Sequence, residues 1–192
     1  MSREKLLERI EGKREELTDL TCELVRIPTV NPPGDAYTDC ARFLGTRLEK
    51  RGFEVDYHRA EGTPGDNDRY PRTNLVARLE GQASGPCVHF NGHLDVVMAG
   101  KGWTEDPFGA IVKEGRIYGR GTCDMKGFIG TALALVPEMN SLLKPIHFAL
   151  SYDEEVGCKG APSMIGELSR HLPEPEAVIV GEPTQMLSLI HI

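Results

Sequence analysis

Residues 145–157 read PIHFALSYDEEVG. The run Pro145–Leu150 has the length and the apolar, aromatic-rich composition of a buried strand. It breaks directly into three carboxylates, Asp153, Glu154 and Glu155, which repel one another unless something positive lies beside them. In an open α/β sheet, ligands sit beyond the carboxyl ends of the strands. A strand that ends in clustered acids therefore predicts both a sheet and a place where it binds something.

Three further stretches share this design. CVHFNGHLDV (87–96) sets His93 and Asp95 after a strand, and IYGRGTCDMKG (117–127) sets Asp124 between a short hairpin and a helix. AVIVGEPT (177–184) sets Glu182 after a strand. One histidine and several carboxylates, with no cysteine required, suit a borderline-to-hard divalent cation, zinc above all, with cobalt or manganese as substitutes. Two such ions offset the acidic cluster. In His93-Leu94-Asp95, positions i and i+2 share a side of an extended chain, so Asp95 is expected to accept from the second ring nitrogen of His93. Each piece has an ordinary reading in isolation. Asp124 caps the next helix, Glu154 and Glu155 form a solvated strand end, and Glu182 is a turn residue before Pro183. Their recurrence at four strand ends favours a metal site.

Outward from these stretches, Ser2–Arg26 reads as one helix, with Leu6, Ile10, Leu17, Leu20 and Leu24 on one stripe. NPPGD (31–35) reads as a turn and Ala36–Lys50 as a second amphipathic helix. Strands are expected at Phe53–His58, Asn74–Leu79 and Cys87–Asn91, with a polar surface loop at Glu61–Pro71. Ile111–Lys113 and Arg116–Tyr118 flank Glu114-Gly115, a hairpin signal. A helix over Met125–Met139, a helix near Ala161–Arg170 and a strand at Ala177–Val180 complete the pattern. Strands alternating with helices predict an α/β fold, a mostly parallel or mixed sheet flanked by helices.

The 192 residues carry 40% hydrophobic and 27% charged side chains, values usual for a globular chain. The net charge of −7 argues against a nucleic-acid surface. No apolar run reaches the ~20 residues of a membrane helix, and the charged N-terminus lacks the apolar core of a secretory leader. A cytoplasmic protein with no membrane partner is expected. Cys22, Cys40, Cys87, Cys123 and Cys158 form no C-x-x-C pair and read as reduced thiols; Cys123 is expected to be a small buried residue. His89 and His147 are expected in the core or on a sheet face.

The motifs GHLDVV (92–97), WTEDPFGAIVKEGRIYGRGTCDMKG (103–127), SYDEEVGCKG (151–160) and VGEPT (180–184), in this order, resemble the metal-dependent amidohydrolases that include acetylornithine deacetylase, succinyl-diaminopimelate desuccinylase, aminoacylase and carboxypeptidase G. The resemblance implies a zinc-exopeptidase-like catalytic domain with two divalent metal ions, zinc or cobalt in its place. It implies that His93 and Glu182 bind one metal, that Glu155 binds the other, and that Asp124 bridges both through a position often followed by a cis peptide. Asp95 would orient His93, and Glu154 would be the general base. The substrate implied is a small N-acyl amino acid. GTCDMKGF and SYDEEVGCKG look most like acetylornithine deacetylase, with a succinyl-diaminopimelate desuccinylase or another N-acyl amino acid or dipeptide hydrolase of the family as the alternative. Members of the family continue into a lid that mediates homodimer formation and then supply a last histidine. His191 is too close to Glu182 to be that histidine. Residues 1–186 are accordingly expected to be the N-terminal part of the catalytic domain, and 187–192 a non-native read-through tail. A chain so ended is expected to fold poorly or to be inactive by itself. A non-catalytic scaffold on the same fold is the contrasting reading, disfavoured because each motif residue within reach is intact.

Overall fold

A computed structural model of the chain describes residues 2–83, 85–139, 142–171 and 174–184. The tail at 187–192, with His191, lies outside the described residues. The strand that opened the sequence, β6 by chain order (Ile146–Ser151), is buried at every position. On one flank it pairs antiparallel with β2 (Thr73–Leu79), which pairs antiparallel with β1 (Glu54–Arg59). On the other it pairs parallel with β3 (Cys87–His93), which pairs parallel with β7 (Pro175–Val180). The sheet is therefore mixed, in the order β1-β2-β6-β3-β7. The hairpin expected around Glu114-Gly115 forms a separate pair, β4 (Ile111–Lys113) and β5 (Arg116–Tyr118), whose two turn residues sit at φ 53° and 70°, the left-handed conformations a tight two-residue turn requires.

Alternation along the strands divides the core in two. Leu75, Ala77, Ile146, Phe148 and Leu150 meet α2 (Arg14–Val25), α3 (Tyr37–Glu49) and α4 (Lys126–Met139) in the main core. There Phe148 stacks on Phe90 at 5.0 Å and meets the edge of Phe53. Val76 and Ala149, facing the other way, meet Met164 and Leu168 of α5 (Ala161–His171). This second face is looser. A cavity of about 590 Å³ lies under α5, over the buried His89 and His147.

The helix expected at Ser2–Arg26 is two helices. α1 (Arg3–Glu11) closes at Gly12, and α2 starts after Lys13. Gly12 keeps helical geometry and its N–H bonds the Glu8 carbonyl at 2.9 Å, and the break falls at Lys13, which leaves the helical region at ψ 2°. The apolar stripe divides with it: Leu20 and Leu24 are core residues, whereas Leu6 and Ile10 are exposed. Cys123 is also exposed, against expectation, while all five cysteines are free thiols. Among the described residues no helix is long and apolar enough to cross a membrane.

Candidate metal centre

β6, β3 and β7 run parallel, so their carboxyl ends open on the same edge of the sheet. His93 stands opposite Ser151 of β6, and Asn91 opposite Val180 of β7. That register brings His93, the Asp153–Glu155 turn and Glu182 to one place. Asp124 arrives from the loop between β5 and α4. The Asp124–Met125 peptide is cis, as the resemblance implied. Met125 is fully buried, and its sulfur accepts the His93 backbone N–H at 3.3 Å, which fixes the strand end beneath the loop.

The His93 ring is the floor of the site, with its side chain 1% exposed. Its Nε2 lies 3.0 Å from Asp124 Oδ1, 3.7 Å from Glu182 Oε1 and 3.9 Å from Glu154 Oε2. One potential ligand atom each from His93, Asp124 and Glu182 falls within 4.8 Å of the others. Glu155 is not a member of that trio. It lies beside it, and its carboxyl is pushed up, first by burial and then by the charge of Asp124. Burial also raises Glu182; His93 opposes that rise, and Asp124 and Glu154 add to it. Burial alone would lower His93, but Asp95, Asp124 and Glu154 outweigh it and raise the ring to about 9.

Among the described residues, His93 is the only cationic side chain paired with Asp124, Glu154 or Glu182. Several carboxylates around one buried imidazole, with Glu155 and Glu182 held above their usual range, form a cup short of positive charge. Imidazole nitrogen plus carboxylate oxygens is a donor set that fits a divalent cation such as zinc.

Asp95 is fully buried and its carboxylate pairs with His93. The closer partner of His93 Nδ1 is the Asp95 backbone oxygen at 3.0 Å, whereas the carboxylate stands 3.6 Å away. That carboxylate also serves the chain. Oδ1 accepts the Glu154 N–H at 3.1 Å, and Oδ2 accepts the Glu155 N–H at 3.1 Å and Asn31 Nδ2 at 3.2 Å.

Asp153, unassigned by sequence, is 2% exposed and turns away from the cup. Its φ of 53° places it in the left-handed region, which aspartate tolerates better than most residues. Its carboxylate accepts Arg72 Nε at 3.1 Å, the Tyr37 hydroxyl at 2.8 Å and Asn31 Nδ2 at 3.1 Å. Arg72 is buried too, and a Cβ at Gly34 would collide with its guanidinium. The NPPGD turn thus needs its glycine. Lys126, also buried, gives its ammonium to the Leu24 and Ile27 carbonyls and ties the start of α4 to the end of α2. Sequence reasoning missed Asn31, Tyr37, Arg72 and Lys126, because none lies at a strand end. The one available signal was Asp153 itself, a third acid without work in the cup.

A search against protein families matches residues 89–191 to Peptidase family M20/M25/M40. The chain belongs to this family. Succinyl-diaminopimelate desuccinylase of Novosphingobium aromaticivorans is 36% identical over 164 residues, covering 85% of this chain and 42% of the relative. That of Zymomonas mobilis is 32% identical over 170 residues, covering 88% and 43%. The chain thus spans about two fifths of the length of these curated relatives. Among solved structures, human carnosine dipeptidase 1 superposes with a TM-score of 0.73 at 22% identity, over 92% of this chain and 40% of that one. An M20 family metallo-carboxypeptidase from Sulfolobus solfataricus gives 0.70 at 22%, over 86% and 37%. At such identity these two speak for the fold, a mixed sheet flanked by helices.

Proposed function

We propose that this chain carries most of the catalytic centre of a metal-dependent hydrolase that cleaves the amide bond of an N-acyl amino acid. The observation that carries the proposal is the cup itself: one buried imidazole ringed by Asp124, Glu154 and Glu182, with no other cationic side chain paired to them among the described residues. In this reading His93, Asp124 and Glu182 hold one divalent ion, and Asp124 with Glu155 holds a second. Zinc is the first candidate and cobalt the substitute. Bound there, the ions supply the positive charge that acidifies water and steadies negative charge on an acyl oxygen. Glu154 is the group that accepts the proton of the attacking water and returns it to the leaving amine. One water is consumed, and a carboxylate and a free amine leave. Asp95 holds the Glu154–Glu155 backbone in place for this work.

The motif resemblance pointed first to N-acetylornithine. The curated relatives move the preference to N-succinyl-diaminopimelate, since desuccinylases for that substrate match at 32–36% identity. The homodimer implied by the resemblance belongs to the proposal for the whole protein.

The test loads the purified chain with Zn2+ or Co2+ and counts bound metal by mass spectrometry; amine release from N-succinyl-diaminopimelate and N-acetylornithine is followed in the full-length protein. Metal uptake lost in His93→Ala, with succinyl substrate preferred, supports the reading. Uptake that ignores His93 and Glu182 sinks it.

A further inference from the structure

Asp153, Asn31 and Asp95 close a ring beneath the cup. The Asn31 side-chain nitrogen has two hydrogens, and it gives one to Asp153 Oδ1 at 3.1 Å and the other to Asp95 Oδ2 at 3.2 Å. Asp95 then receives the backbone N–H groups of Glu154 and Glu155, and the peptide chain leads from Glu154 back to Asp153. Asp153 is anchored twice more, since Tyr37 donates to its carboxylate and accepts its backbone N–H at 3.3 Å, while Arg72 neutralises its charge.

Asn31 is itself fixed from behind. Its N–H bonds the Val96 carbonyl at 2.9 Å, and Val96 returns a bond to the Thr29 carbonyl at 2.9 Å. Residues 29–31 therefore run as a short rib beside Leu94–Val96, on the segment that leaves His93.

We propose that this ring is the positioning device of the metal centre, with Asn31 and Asp153 as positioning residues that set Glu154 and Glu155 against His93. The inference rests on the metal-hydrolase reading above. The physical need is plain. Glu154 and Glu155 leave the sheet through a residue in the left-handed region, into a turn that the sheet's ladder no longer holds. Ligand carboxylates work only when held within a fraction of an ångström of their place. Two carboxylates, Asp95 and Asp153, do the holding, and they face a common donor only because the Asn31 amide lies between them. Partners behind metal ligands typically change metal affinity about 10- to 100-fold when removed.

The test uses Co2+ as probe on the 192-residue chain, reading its dissociation constant by titration and its visible ligand-field spectrum. Asn31→Ala is expected to weaken Co2+ by at least about tenfold and to shift the spectrum. Asp153→Asn, which keeps the shape and one acceptor oxygen, is expected to move both in the same direction by less. Leu133→Ala, a truncation in the core of α4, is expected to lower the unfolding temperature while leaving affinity within about twofold and the spectrum unchanged. If Asn31→Ala lowers the unfolding temperature but binds Co2+ as the parent does, the ring is scaffolding and the inference is overturned. If the parent chain itself takes up no Co2+, the hydrolase reading fails first and the inference with it.

Discussion

The clamp around Asp153 and the cup around His93 begin at adjacent residues and treat crowded negative charge in opposite ways. In the clamp, Asp153 and Arg72 have side chains 3% and 6% exposed, and each carboxylate oxygen of Asp153 has a donor. Its charge is settled within the protein. In the cup, Asp124, Glu154 and Glu182 are 46%, 34% and 28% exposed and share one imidazole among them. Their charge is left for something from solution to settle. The difference teaches where stability and chemistry are kept: a self-contained ion pair holds structure, and an incomplete one is available for binding.

The largest effect is expected from breaking the clamp. Asp153→Ala leaves the Arg72 charge buried and unpaired, a loss of about 3–5 kcal/mol, read from the urea midpoint at constant m value. Replacing both, as Arg72→Met with Asp153→Leu, is expected to recover part of that loss. A single-variant cost below about 1 kcal/mol, the range of a surface pair, would erase the distinction drawn here.

Next comes the cup. Glu154→Gln is expected to keep its bound metal and to lose about 10²–10⁴-fold in the turnover of N-acyl substrate. If metal and turnover vanish together, Glu154 is a ligand and not a base. Metal itself should act on stability from the cup alone. Zn2+ at about 100 times its dissociation constant adds about 2.7 kcal/mol, reversed by a chelator and absent in His93→Ala. An equal gain in that variant would place the ion elsewhere.

The smallest effect concerns Cys158, whose exposed thiol donates to Glu154 Oε1 at 3.4 Å. Cys158→Ser retains a donor and is expected to change turnover by less than about threefold, while Cys158→Ala costs on the order of 0.5–1 kcal/mol in the barrier. A larger loss in the serine variant would mean that the thiol does more than donate.

The cup was legible because strand ends are legible. Apolar runs announce β3, β6 and β7, and the acid or histidine after each announces where the ends meet. The parallel order of those three strands then brings His93, Glu154 and Glu182 together. The clamp was not legible. Asn31 stands in a proline–glycine turn, and Arg72 follows a polar loop that reads as solvent-exposed. Their roles depend on contacts 122 and 81 residues away in sequence, which no local pattern records. The division of the first helix at Lys13 was missed because its apolar stripe continues through the break in sequence, though not in space. Asp95 was found, but the further role of its carboxylate was not: it accepts the Glu154 and Glu155 N–H groups, 59 and 60 residues away in sequence.

Asn31 also has a chemical future that its place protects. An asparagine ages when the backbone nitrogen of the next residue attacks its side-chain amide and closes a succinimide, which opens to aspartate. The next residue here is Pro32, which has no N–H to make that attack. The amide that separates Asp95 from Asp153 is thereby shielded from becoming a third carboxylate between them, and the centre is guarded against a slow covalent failure that no refolding could repair.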